Sequence, residues 1–229
     1  MKTIFLVRHG KAVSRDTDIP DYNRTLLERG RENSLQVARR LKKQKIKPSL
    51  IISSPAPRAL GTARIFARQL GYNPRSIRTR KAIYDQTDGT LLNIVREIDE
   101  ECDNVILIGH NPSINDFALF LTGNFNKDMP TCGLVGIKLK TGTWKEIAKG
   151  GGKLKIYDFP KPENKSKIIK SFQKDLEKIL TAQIGRIIGE LDAAIKEKIE
   201  KPVKKSSKKL AKAFVKKIKS TKDKKKRRK

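Results

Sequence analysis

Thr3-Ile4-Phe5-Leu6-Val7-Arg8-His9-Gly10 opens the chain, and Val105-Ile106-Leu107-Ile108-Gly109-His110-Asn111-Pro112 repeats its plan much further along. In each, a short continuous apolar run reads as a strand buried on both faces, the kind that builds parallel sheets, and it ends on a histidine beside a glycine. Working outward, apolar runs alternate with segments of helical period. Leu26–Lys43 carries Leu35, Val37, Ala38 and Leu41 at helical spacing, Ser49–Ser53 reads as a second strand, and Pro55 with Ala56-Pro57 opens a helix to Leu70. Gly71 is a suitable stop for it. Further helices are expected over Thr90–Glu101 and from Asn111-Pro112 through Leu121, and strands around Leu134–Leu139 and Leu154–Phe159 finish the sheet. Such alternation predicts an α/β class, a three-layer αβα sandwich with a mostly parallel central sheet, plus a C-terminal basic helical extension.

The 229 residues allow one sizeable core and an appendage. The predicted layout is a catalytic domain over 1–160, a linker over 161–165, a long amphipathic helix over 166–201 and a lysine-rich, partly disordered tail over 202–229. The helix rests on Ile168, Phe172, Leu176, Ile179, Leu180, Ile184, Ile187, Leu191, Ile195 and Ile199, which recur at helical spacing up to Pro202. That stripe packs on the catalytic domain, on a second copy in a homodimer, or on a membrane surface. Net charge is +29, and residues 161–229 hold 25 of the 53 Lys and Arg against 8 of the 24 Asp and Glu. The tail therefore serves as a solvated anti-aggregation segment or binds an anionic polymer such as nucleic acid, or an anionic membrane surface. No aromatic interleaving or nucleic-acid motif points to sequence-specific reading. Cys102 and Cys132, with no C-x-x-C pattern, read as reduced thiols rather than a disulfide or zinc site. The apolar run before Arg8 is too short for a signal-peptide core, and no run approaches the roughly 18 residues that span a bilayer, so a cytoplasmic protein is expected.

The chemistry gathers at strand ends. In an open parallel sheet the carboxyl ends of the strands line the ligand crevice, so His9 and His110 should converge there. Ser53-Ser54-Pro55-Ala56-Pro57-Arg58 ends the second strand and delivers Arg58 to the same edge. A transferring phosphoryl group spreads negative charge over its oxygens, and guanidinium forks match that geometry. His9 is the expected nucleophile, attacking phosphorus through one ring nitrogen while a backbone carbonyl holds the other. Arg8, Arg58 and a protonated His110 would stabilise the phosphoryl oxygens, with neither metal nor cofactor called for.

These stretches resemble the motifs of the histidine phosphatase superfamily, the phosphoglycerate-mutase-like proteins. Leu6-Val7-Arg8-His9-Gly10 looks like its signature, and Ser53-Ser54-Pro55 with Arg58-Ala59 and Thr62-Ala63 is similar to its second motif. Ile108-Gly109-His110-Asn111-Pro112 resembles the third, in the form used by the short phosphohistidine-phosphatase, or SixA-like, branch. Asn23-Arg24-Thr25-Leu26 before Glu28-Arg29-Gly30-Arg31 looks like that branch's segment after the nucleophile. The resemblance implies a phosphohistidine intermediate on His9, a pocket completed by Arg8, Arg58 and His110, and phosphate contacts from Arg24 and Asn111. Leu27 stands where Thr is common, which touches the local helix cap.

The long insertion that carries a general acid in larger members is essentially absent between Arg58 and His110. Asp85 is the candidate acid, with Asp88 nearby. Because an imidazole leaving group needs less protonic help than an alkoxide, the expected substrate is a protein phosphohistidine. The rivals are a phosphatase for small phosphate monoesters and a protein that mainly binds nucleic acid or membrane through its tail. Gly150-Gly151-Gly152-Lys153 lacks the spacing of a phosphate loop and reads as a turn.

Overall fold

The computed structural model describes residues 1–85, 89–161, 173–183, 201–202 and 205–213. The chain divides into two compact units, Met1–Pro160 and Lys161–Lys229. In the first, β1 (Thr3–Arg8), β2 (Leu50–Ser53), β3 (Arg78–Thr79), β4 (Asn104–Gly109), β5 (Leu134–Leu139) and β6 (Gly152–Asp158) form one sheet in the order β3-β2-β4-β1-β5-β6. The pairings of β1 with β4, β4 with β2 and β2 with β3 are parallel. The β1–β5 and β5–β6 pairings are antiparallel. Helices α1 (Glu28–Lys43), α2 (Pro57–Leu70), α3 (Ala82–Asp85), α4 (Thr90–Arg96) and α5 (Ser113–Thr122) complete the unit.

The apolar runs are continuous because the sheet is covered on both faces. Along β1, Ile4 and Leu6 join one core cluster and Phe5 and Val7 the other; along β4, Val105 and Leu107 separate from Ile106 and Ile108 in the same way. Val37, Ala38 and Leu41 of α1 and Ala59, Ala63 and Phe66 of α2 cover one face. Leu91 and Val95 of α4, Ile114 and Leu121 of α5, and the fully buried Trp144 cover the other. These layers are the αβα sandwich expected from the sequence, and each buried Leu, Ile or Phe contributes about 1.5–3 kcal/mol of transfer free energy.

Element ends follow local chemistry. α1 starts at Glu28, after Leu27, whose side chain makes no capping hydrogen bond; instead the Leu27 N–H donates to the Lys11 carbonyl. α2 begins at Pro57 and stops at Gly71, which takes the left-handed conformation at φ 74°. α4 ends at Arg96 and not at Glu101: the Ile98 N–H folds back to the Val95 carbonyl, and Asp99 Oδ1 accepts from the Glu101 N–H, a side-chain turn that competes with helix. The 3-10 turn Asp21–Asn23, the two-residue β3 and the four-residue α3 are too short to show a period, and the sequence reading misses them. Lys149–Gly150 is a turn that leads through Gly151 into β6 at Gly152.

In the second unit residues 173–183 are helical, within the segment expected to be one long helix. Residues 201–202 and 205–213 are helical, and the residues that would show whether a helix ends at Pro202 lie outside the described residues. Most of the stripe from Ile168 to Ile199, and the end expected to be disordered, lie outside the described residues. Among the described residues no helix is long and apolar enough to cross a membrane.

Candidate active site

The parallel register puts Arg8 opposite Gly109, so His9 and His110 are the first residues beyond two adjacent strands. The His9 N–H donates to the Gly109 carbonyl at 3.0 Å, and the two imidazole centroids are 5.0 Å apart. On the far side of β4, Ser53 pairs with Ile108 and the Ser54 N–H donates to the Ile108 carbonyl. The chain then turns into α2 and sets Arg58 at the same edge, 3% exposed.

Hydrogen-bond partners fix both imidazoles. His9 Nδ1 lies 2.8 Å from the Gly10 carbonyl oxygen. A carbonyl only accepts, so Nδ1 carries the proton and Nε2 keeps its lone pair. The loop is held close beneath α1: the Gly10 N–H donates to Thr62 Oγ1 at 3.0 Å, and a Cβ on Gly30 would stand 2.1 Å from the Lys11 carbonyl oxygen. Cys132, at φ 62°, donates its N–H toward the carbonyls of Arg8 and His9. His110 Nε2 lies 2.9 Å from Ser54 Oγ, which already accepts from the Ala56 N–H. With the Ser54 hydroxyl donating its own proton to Nε2, the His110 proton sits on Nδ1. That nitrogen is buried and has no partner among the described residues.

Burial, with the nearby charges of Arg58, Arg8 and Arg24, pushes His9 down to about 4 against the opposing pull of the Gly10 bond. Burial, then His9 and Arg58, pushes His110 to about 3. Both rings are neutral near pH 7 in the free site, so His110 is a neutral Nδ1–H donor there and not the imidazolium expected from the sequence.

Three guanidiniums surround the pair. Arg8 Nη1 donates to the Met129 carbonyl at 2.7 Å. Arg24, 7% exposed, donates from Nη1 to the Val13 carbonyl and from Nε and Nη2 to Asp21 Oδ1 at 3.1 and 2.5 Å. Arg58 donates from Nη2 to Asp21 Oδ2 at 2.8 Å and from Nη1 to the Asp21 carbonyl. Partial burial works against the Asp21 charge, yet the hydrogen bonds from Arg24 and the charges of both arginines hold its carboxyl at about 2. Tyr84 donates to the same Oδ2 at 3.2 Å and stands edge-on to His110.

Two cavities flank His9. One, of about 390 Å³, is lined by Arg8, His9, Arg58, Asp85, His110 and Asn111, together with Arg15, Asp21 and Tyr84. The other, of about 700 Å³, adds Arg24 and Lys11 on the opposite side. Every residue singled out for the site from the sequence thus lines one or other of these two cavities, which share Arg8, His9 and Asn111, except Asp88, which lies outside the described residues. Asn111 lines both cavities and donates from its amide to Asp128 Oδ1 and to the Met129 carbonyl, both at 3.2 Å. Sequence reasoning missed Asp21, Tyr84 and the role of Ser54. Asp21 stands three residues before Arg24, a turn spacing, but nothing in the sequence shows its reach to Arg58. Among the described residues no three His, Cys, Asp or Glu side chains are grouped to hold a metal ion.

Fold and site together describe an α/β domain with a histidine at the crevice edge and arginines around it. Residues 4–104 match the histidine phosphatase superfamily (branch 1), and His110 follows the matched stretch. Solved structures share the fold. SixA from Agrobacterium tumefaciens has 23% identity and a TM-score of 0.58, with 70% of this chain and 99% of that chain covered. The protein histidine phosphatase SixA complexed with tungstate has 24% identity and a TM-score of 0.59, covering 69% of this chain and 97% of that one. A mycobacterial glucosyl-3-phosphoglycerate phosphatase has 16% identity and a TM-score of 0.51, over 70% of this chain and all of its own. No curated protein sequence matches the chain.

Proposed function

We propose that this chain is a phosphatase that works through a phosphoryl group carried on His9, with protein phosphohistidine as its substrate. The observation that carries the reading is the His9 tautomer. Its Nδ1–H is bound to the Gly10 carbonyl, so the Nε2 lone pair stays free beside a cavity walled by Arg8, Arg58 and His110. In the first step Nε2 attacks phosphorus and the bond to the leaving group breaks, that group departing with a proton. In the second, water attacks the phosphohistidine, the P–N bond breaks back to Nε2 and inorganic phosphate leaves. Arg8, Arg58 and the His110 Nδ1–H stabilise the phosphoryl oxygens, Arg24 adds a fourth positive or polar contact, and Asn111 steadies the 128–129 loop beside Arg8. Asp85, at the cavity rim, is the candidate proton donor.

The cavity of about 700 Å³ beside His9 is also of a size that holds a small ester, so a small phosphate monoester is the second reading. Phosphate release from a phosphohistidine peptide and from simple monoesters, measured side by side, separates the two. Brief mixing with labelled phosphohistidine peptide should leave acid-labile label on the wild type and none on His9→Ala. An unlabelled wild type that still turns over would reject the covalent route.

A further inference from the structure

We propose that Asp21 is a positioning residue that aims Arg58 and Arg24 at the phosphoryl group, acting through both guanidiniums without touching substrate; the proposal rests on the phosphatase reading above. Asp21 opens the 3-10 turn that follows Pro20 and leads into Arg24. Each of its three oxygens has work on an arginine: Oδ1 accepts Nε and Nη2 of Arg24, Oδ2 accepts Nη2 of Arg58, and the main-chain oxygen accepts Nη1 of Arg58. A carboxylate has enough lone pairs to take all of these at once.

The consequence is orientational. Both guanidiniums are more than nine-tenths buried and carry the same charge, so without an anion between them they repel and turn. With Asp21 in place the two Nη groups of Arg58 are fixed on one side, and its Nε remains buried with no partner among the described residues, as does Nε of Arg8. Those two nitrogens and His110 Nδ1 are buried donors without a partner among the described residues, available to an anion beside His9, and Arg24 lines the adjoining cavity. Tyr84 links the clamp to the histidine wall, since its hydroxyl binds Oδ2, its ring lies 5.7 Å from the Arg58 guanidinium carbon and its edge faces His110.

A carboxylate beside a phosphate site could instead act as an internal competitor for the same arginines. The two roles have opposite signs. Removing a competitor tightens phosphate binding, whereas removing a clamp loosens it and slows the chemical step.

The test uses the full-length protein as wild type, Asp21→Ala and Asp21→Asn. Inorganic phosphate binding is measured by titration calorimetry, kcat and KM with a phosphohistidine peptide, and folding by thermal melting. Asp21→Ala should weaken phosphate roughly ten-fold and lower kcat/KM about 100-fold, chiefly in kcat, as expected when a reacting group is held slightly out of place. Asp21→Asn, isosteric and still an acceptor through Oδ1, should recover part of both. If Asp21→Ala does not fold, Asp21→Asn decides alone. Phosphate bound as tightly as in the wild type, or tighter, with kcat unchanged overturns the proposal. A wild type that binds phosphate but hydrolyses no phosphorylated substrate ends the phosphatase reading, while the binding comparison still decides the clamp. A wild type that binds no phosphate overturns both.

Discussion

The two imidazoles offer the sharpest test, because they are the only histidines in the sequence and each can be removed singly. An ordinary imidazole titrates near 6.5, whereas burial and the neighbouring guanidiniums place His9 at about 4 and His110 at about 3. At pH 5.5 an unperturbed imidazole is roughly 90% protonated, while one at about 4 is only about 3% protonated. Nitrogen-15 spectra of the labelled imidazoles should therefore show two neutral rings from pH 8 down to 5. His9 should appear as the Nδ1–H tautomer, with Nε2 bare. In the same range kcat/KM, divided by the fraction of substrate in its reactive ionisation state, should change by less than about a factor of two instead of falling about thirty-fold. Added inorganic phosphate should move both midpoints upward, since a nearby anion favours the charged ring. A His9 midpoint near 6.5, or a proton found on Nε2, would refute the account of the nucleophile.

Three further outcomes follow from the same contacts. The depressed values also cost stability in acid: unfolded imidazoles take up protons below about 6.5 and the folded ones only near 4 and 3, so stability is lost as pH falls from 6.5. The urea midpoint should accordingly drop between pH 7 and 5, and His9→Gln should flatten that slope; an unchanged slope in the variant speaks against a buried neutral ring. Ser54→Ala frees His110 to carry its proton on Nε2, and should lower kcat/KM by about 10–100-fold while costing only about 1 kcal/mol of stability, read by kinetics and denaturation together. Gly30→Ala drives a Cβ to 2.1 Å from the Lys11 carbonyl oxygen, a main-chain atom that no rotamer change can move aside, and should destabilise by about 2–3 kcal/mol. A normal melting temperature would mean that α1 is not seated as described.

What the sequence revealed tracks what depends on neighbours in the chain. β1 and β4 were legible because burial on both faces makes them unbroken apolar runs, and the end of α2 because Gly71 can turn where other residues strain. His9, His110 and Arg58 were legible as a group because parallel strands put their carboxyl ends on one edge, so position along the chain already implies position in space. Asp21 was not: its value lies in reaching Arg58 across 37 positions, which no local pattern encodes. The charge state of His110 escaped for a related reason. Proximity to arginines and an incoming phosphate suggests an imidazolium, but the burial that brings those groups together also disfavours charge on the ring, and in the free site burial wins.

Charge balance carries the reading one step further, to the kind of phosphate the pocket suits. Arg8, Arg24 and Arg58 bring three positive charges, Asp21 removes one, and the two histidines are neutral, so these groups around His9 leave two positive charges uncompensated, while Lys11, Asp85 and Asp128 on the cavity walls are exposed to solvent and screened. Arg15, 79% exposed at its side chain, is screened by solvent and counts for little. A phosphoryl group with two negative charges closes that balance, which matters because a buried guanidinium without a counter-charge is costly. A phosphodiester brings only one charge and leaves one guanidinium unanswered, besides lacking one oxygen that could accept a hydrogen bond. Inorganic phosphate should therefore inhibit at least about ten-fold more strongly than dimethyl phosphate at pH 7.5, and the gap should narrow in Arg24→Ala, where only one positive charge remains to be met. Equal inhibition by the two anions in the wild type would show that the arginines act as separate surface charges, not as one pocket built for a dianion.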